Sequence, residues 1–308
     1  MEEHALPDRV LKWVVQCVDP MAVIESVRLL DGSTSSSVYG LSIRLSNAPL
    51  QFVLRQFDNV EWRSEEPDLA RHEAGSLRRA ATIDVPTPTL VAFDETGEDC
   101  GVPSVLMTRL EGAVVLRPRD MNIWVDRLAQ SLAQIHAVGA DDYPWAYFTY
   151  ADIPSLKTPT WSSVPELWDE ALRMVSGPQP VSRECFIHRD YHPANVLWTE
   201  HPVSGVVDWV NACRGPAGID VGHCRVNLAQ LFNVPTANAF LTAYRRYAGA
   251  VFDYDPFWDL LSLIEFLSER PTVYPGWKAF GVHDVTEQLI RERLDAFVTS
   301  VAGRISGD

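Results

Sequence analysis

Asp190 and Asn195 lie five positions apart in a polar loop, bracketed by two short apolar runs, Cys185–Ile187 and Val196–Trp198. A second carboxylate, Asp208, follows the short apolar stretch Gly205-Val206-Val207. One carboxylate can orient a hydroxyl and accept its proton. A carboxamide and a second carboxylate can hold Mg²⁺ against phosphate oxygens. Phosphoryl transfer needs this set of groups.

The same loop spells His188-Arg189-Asp190, then four residues, then Asn195, which is the H-R-D-x-x-x-x-N pattern. On these residues the chain resembles the kinase-like superfamily, and within it the aminoglycoside phosphotransferase family of small-molecule kinases. The resemblance implies an α+β, bilobal protein-kinase-like fold. It has an N-terminal antiparallel sheet lobe with one main helix and a larger, mainly helical C-terminal lobe. It divides the chain into a nucleotide-binding lobe, 1–108, and a catalytic and substrate-binding lobe, 109–308, with a hinge at about 107–112 and the nucleotide between them. In that frame Asp190 is the catalytic base and Asn195 and Asp208 are the metal ligands. The cofactors are ATP, with GTP possible, and Mg²⁺.

The elements that must carry these groups can be read in order. Pro7 to Val18 has helical spacing of Leu6, Val10, Val14 and Cys17. Leu29 to Leu45 reads as two strands around the Ser-rich stretch 31–37, whose backbone and hydroxyls, Ser33, Ser35 and Ser36 among them, suit phosphates. Leu50 to Phe57 reads as a strand with Val53, Arg55 and Phe57 on one face. The family places a lysine where Arg55 stands. None of the three lysines, Lys12, Lys157 and Lys278, follows the Ser-rich loop closely enough to serve. Arg55 keeps the charge in a wider fork. Asp68 to Ala80 reads as a helix carrying Glu73 on a mostly apolar face, matching the family's partner to the phosphate-binding cation. Strands follow from Val85 to Phe93 and through Pro103–Gly112. By the resemblance, backbone groups around Thr108 to Leu110 bond the base and Met107 packs near it.

Met121 to Val138 reads as a helix in which His136 is a buried structural histidine. The stretch 141–168 reads as the least regular part, a covering segment packed by its own rings or else an acceptor-side wall. Asp220 reads as a helix N-cap and, by resemblance, as a brace for the catalytic loop. Helices are expected over 224–247, 256–269 and 285–301, with Asp255, Asp259, Glu265 and Glu269 on their polar faces.

The totals exclude more than they select. The chain has 308 residues, with 41 Asp and Glu against 26 Lys and Arg, a formal net charge of −15. Nucleic-acid binding needs the opposite balance, whereas a cationic small molecule suits it. Five cysteines without a CxxC pair read as reduced thiols. No signal-peptide pattern or membrane-length apolar run is evident, so the expected setting is cytoplasmic, with no membrane partner, as a monomer or homodimer. Asp208 is followed by Trp209-Val210 rather than Phe-Gly, and no activation segment follows. That points away from protein substrates and toward a small-molecule hydroxyl acceptor, which could be cationic. Three readings follow: an O-phosphotransferase of an aminoglycoside or related antibiotic such as a macrolide, a metabolic kinase of a small amino alcohol or sugar, and a nucleotide-binding regulator without catalysis.

Overall fold

The computed structural model describes residues 6–30, 35–46, 48–200, 202–265, 267 and 271–305. The chain forms two compact units, Met1–Gly112 with Ser204–Asn211, and Ala113–Val203 with Ala212–Asp308.

The first unit is built on a five-stranded antiparallel sheet. Its strands are β1 (Val23–Leu29), β2 (Ser37–Leu45), β3 (Ala48–Gln56), β4 (Leu90–Asp94) and β5 (Ser104–Thr108), in the order β1-β2-β3-β5-β4. Period-two alternation gives the sheet two different faces. Leu41, Ile43, Phe52, Leu54 and Leu106 point to one side, where Leu6, Val10, Trp13 and Val14 cover them. The last three of these belong to α1 (Asp8–Val18), whose apolar stripe at positions i, i+3 and i+4 is what a helix on a sheet requires. On the other side, Val53 and Arg55 stand in rows with Met107 and Val105. A short helix, α2 (Val60–Glu65), is capped by the Asn59 side chain accepting from the Trp62 N–H. Then α3 (Leu69–Ala80) packs against β4 and β5.

The first strand lies earlier than expected, over 23–29 rather than beyond Leu29. Asp31 to Thr34, Ser33 included, lie outside the described residues.

The second unit is mainly helical. It contains β6 (Ala113–Val114), α4 (Met121–His136), α5 (Pro165–Val175), β7 (Glu184–Ile187) and β8 (Val196–Trp198). The strand β9 (Val203–Val206) leads the chain into Ser204–Asn211. After that segment come β10 (Cys213–Pro216), α6 (Ala217–Leu231), α7 (Val234–Ala248), α8 (Pro256–Ile264), α9 (Gly276–Ala279) and α10 (Glu287–Ile305). β7 pairs with β10 and β6 with β8. α6 is buried along nearly its whole length and packs against α7, α8, α10 and β7, which makes it the spine of this unit.

Several expectations change here. The single helix expected over 224–247 is two, divided at Phe232-Asn233. The Asn233 side chain caps α7 by accepting from the Thr236 N–H and hydroxyl, and Pro235 fits the first turn. The stretch 141–168 ends inside α5, where Trp168 is fully buried and its Nε1–H donates to Asp295. Asp259 is not on a polar face. It is buried and paired with the equally buried Arg225, which also reaches Tyr254 and Asn238. Asp255 caps α8 by accepting from the Phe257 N–H. Glu269 lies outside the described residues.

Candidate active site

Strand alternation on β3 sends Arg55 away from the α1-covered core and toward α3. There its Nη1 donates to Glu73 Oε1 at 2.9 Å, and its Nη2 reaches Asp208 Oδ1 at 2.8 Å. One planar fork thus holds two carboxylates at once, which a single ammonium cannot do with the same geometry. Glu73 is almost fully buried, and burial pushes its carboxyl up to about 7; Arg55 opposes the shift and the Asp208 charge adds to it. Asp208 has φ 69°, a left-handed conformation that aspartate tolerates better than most residues. The next residue anchors it: Trp209 is fully buried and its Nε1–H donates to the Val206 carbonyl at 2.8 Å. The Val206 N–H in turn donates to Pro86 at 3.0 Å.

In the same unit Met107 is buried beside Val53, and Leu110 leans on Gly205, where an added Cβ would lie 2.3 Å from Leu110 Cδ1. The Thr108 N–H donates to the Thr89 carbonyl and its hydroxyl oxygen accepts from the Thr89 N–H, so its backbone donor is already committed. Ser35 is exposed and Ser36 half-buried just before β2. Ser37 begins that strand, with its N–H and hydroxyl both donating to Asp58.

In the second unit the loop between β7 and β8 carries Asp190 and Asn195. Asn195 Nδ2 donates to the Asp190 carbonyl at 2.9 Å and to its Oδ2 at 3.2 Å. The other carboxylate oxygen, Oδ1, lies 3.1 Å from His223 Nε2 and 3.7 Å from His192 Nε2. The carboxylate is therefore oriented through both oxygens. Burial works against its charge, but the imidazoles of His192 and His223 outweigh it and hold Asp190 well below the usual carboxylate range. His223 moves the other way. Burial alone would lower it, and its hydrogen bond and attraction to Asp190 raise it. Glu265, at the end of α8, is within electrostatic reach of His223, Arg189 and Asp190; desolvation raises its carboxyl, and the two cations pull it back.

The loop is held from behind. Asp220 Oδ2 accepts from the His188 N–H at 2.7 Å and sits 3.0 Å from His136 Nε2, while His136 Nδ1 is 2.7 Å from the Tyr244 hydroxyl. All four side chains are buried. Asp220 is consequently not an N-cap: α6 starts three residues earlier, at Ala217, and the carboxylate turns into the core. Arg189 has φ 67°. Its guanidinium lies 4.2 Å from the ring centroids of both Phe148 and Tyr150 and donates to the Phe148 carbonyl at 2.7 Å. The aromatic stretch divides accordingly. Tyr143 and Trp168 are core, and Phe148 and Tyr150 remain about half exposed against Arg189. Sequence reasoning did not single out His223, because nothing local distinguishes one histidine on a buried helix.

Residues 26–259 match the phosphotransferase enzyme family. The chain belongs to this family. Among curated proteins it is similar to the homoserine kinase of Rhodospirillum rubrum, with 26% identity over 211 residues covering 58% of this chain and 61% of the relative. It is also similar to the homoserine kinase of Rhodopseudomonas palustris strain BisA53, 29% over 171 residues, or 49% and 51% of the two chains. The chain thus spans little more than half the length of these curated relatives. Among solved structures it is similar to aminoglycoside phosphotransferase APH(4)-Ia in complex with AMP-PNP and hygromycin B, with TM-score 0.61, 17% identity and 95% and 98% coverage. The macrolide 2′-phosphotransferase of Brachybacterium faecium gives TM-score 0.53 at 17% identity, covering 94% and 97%. At these identities the likeness is one of fold, the α+β protein-kinase-like fold. Among the described residues no helix is long and apolar enough to cross a membrane, and all five cysteines are free.

Proposed function

We propose that this chain moves the γ-phosphoryl group of a nucleoside triphosphate to a hydroxyl of a small molecule that also carries an ammonium group. The observation that carries this reading is the Asp190 carboxylate, fixed at one oxygen by His223 and at the other by Asn195. Such a group accepts a hydroxyl proton from a set direction. Residues 1–108 would bind the nucleotide and residues 109–308 would carry the base and the acceptor.

Arg55, locked by the buried Glu73, would neutralise charge on the phosphates. Ser33, Ser35 and Ser36 would contribute to the same task. The metal ligands we assign are Asn195 and Asp208, and their donors suit Mg²⁺. Among the described residues Asn195 spends its nitrogen on Asp190 and keeps Oδ1, while Arg55 occupies one oxygen of Asp208. Hard oxygen donors of this kind suit that cation. When bound, Mg²⁺ would supply charge neutralisation at the phosphates.

The acceptor class rests on chemistry shared by the similar proteins. Homoserine and aminoglycosides both carry a hydroxyl and an ammonium group; of the two, the aminoglycoside is a net cation, which a chain of formal charge −15 attracts. An antibiotic acceptor and a metabolic amino alcohol are both compatible with this chemistry. A mass-spectrometric screen separates them: protein, Mg²⁺ and ATP or GTP against aminoglycosides, macrolides, homoserine, other amino alcohols and neutral sugars. One ammonium-bearing acceptor should gain a phosphoryl group, and Asp190→Asn should lose that gain. Transfer to neutral sugars alone would overturn the acceptor class, and nucleotide binding without transfer to any acceptor would favour a regulator.

A further inference from the structure

On the face of the sheet that carries Arg55, one cross-strand row consists of Arg28 on β1, Gly40 on β2, Val53 on β3 and Met107 on β5. Cross-strand neighbours point to the same side, so an apolar floor made by Val53 and Met107 continues onto a glycine and ends at a guanidinium. Arg109 extends this arrangement. Its N–H donates to the Gln51 carbonyl at 3.0 Å, which sets it one row beyond Met107. Its side chain nevertheless reaches β2: Nη1 lies 3.5 Å from where a Cβ on Gly40 would sit. Because β3 separates β5 from β2, Arg109 crosses over β3 to arrive there. Arg28 Nε lies 3.6 Å from the same point.

Two guanidinia are thus gathered over one glycine. Among the described residues no carboxylate pairs with either. Burial and the Arg28 charge both lower the Arg109 pKa, as expected for like charges held together without compensation.

This cluster stands on the same face as Arg55, one row away. Along β3, the Arg55 row and the Val53 row, which holds Gly40, are two residues apart, about 7 Å at a strand's rise. A ligand whose phosphates meet Arg55 would lay its base over Val53 and Met107, with the edge of that base against Arg109 and Arg28. Guanidinium offers donors and no acceptor. Guanine presents two acceptors on one edge, O6 and N7; adenine places its N6 amine, a donor, where guanine has O6. Donors facing a donor repel, and donors facing two acceptors form a bidentate pair.

We propose that Arg109, supported by Arg28, reads the O6/N7 edge of guanine and makes GTP the preferred nucleotide. The inference rests on the nucleotide-dependent reading above and adds a base-specificity residue to it.

Isothermal titration of the full chain with GTP, ATP and inorganic triphosphate tests it, in wild type, Arg109→Ala and Gly40→Val. The wild type should bind GTP more tightly than ATP by about 5- to 150-fold, the range that one good bidentate arginine–guanine pair provides. Arg109→Ala should bring the ratio near one by weakening GTP and leaving ATP and triphosphate unchanged. Gly40→Val keeps both charges and displaces the guanidinium, so it should also lower the ratio. Equal GTP and ATP affinity in wild type overturns the proposal. An equal loss of all three ligands in Arg109→Ala overturns it too, because it would mark a phosphate contact. If neither nucleotide binds, the phosphotransferase reading itself fails, an outcome distinct from binding without base preference.

Discussion

His223 sets the electrostatic state of the proposed base, and the signs can be worked out. Asp190 has a folded-state pKa below its ordinary 3.8, so its contribution is present above 3.8 and is lost as pH falls through the lowered value. His223 is raised above 6.5. Its contribution is full below 6.5 and fades as pH rises through the raised value. The pair is therefore complete between these limits. His223→Ala removes both the donor to Asp190 and the charge. It should lower unfolding free energy by about 1.5–3 kcal/mol at mid-window, the worth of a hydrogen bond to a charged group, and by progressively less as pH climbs above 6.5. Urea denaturation at a series of pH values reads this directly. A difference that stays constant across pH would remove the ion pair from the account. Asp190 and Asn195 were legible in the sequence because loop geometry keeps them together. His223 was not, because its partner is set by where α6 lies, and no local pattern encodes that.

At the scale of elements, α6 carries both Asp220 and His223, so its seat determines where they arrive. Two glycines set that seat. A Cβ on Gly222 would lie 2.4 Å from the Trp258 carbonyl oxygen, and one on Gly218 would lie 2.3 Å from the Trp258 ring. α6 and α8 touch backbone to backbone, which no larger residue allows. Gly222→Ala should cost about 1–3 kcal/mol by overpacking and should lower kcat by shifting the adjacent His223. Gly303→Ala, on α10 with nothing within 4 Å of the added Cβ, should instead be neutral or gain about 0.5–1 kcal/mol. Calorimetry on the two variants checks the pair, and equal stabilities would contradict the close α6–α8 crossing. α1, α3 and α4 were legible because an amphipathic stripe has one period and one partner. The α6–α7 division was missed although Asn233 and Pro235 signal it. The burial of Asp259 was missed because its partner, Arg225, comes from another helix.

For the molecule as a whole, the formal charge of −15 was plain from composition, but composition cannot say whether the charge serves solubility or substrate capture. Salt distinguishes the two. Attraction of a cationic acceptor by a net negative surface is long-ranged and weakens once the screening length falls to about 10 Å, near 0.1 M salt. Contacts inside a site are shielded far less. Raising NaCl from about 20 to about 200 mM should therefore increase KM for an acceptor of net positive charge several-fold, with kcat little changed, since steering acts on encounter rather than on the transferred group. A neutral polyol accepted by the same protein should show no such dependence. The melting temperature should rise modestly over the same range, because screening also relieves self-repulsion in the folded chain. Steady-state kinetics with the two acceptors at matched ionic strengths makes the comparison. If KM for both acceptors is insensitive to salt while the melting temperature still rises, the acidity serves solubility alone, and recognition of the ammonium group must come from individual carboxylates near Asp190, with Glu265 the first to replace.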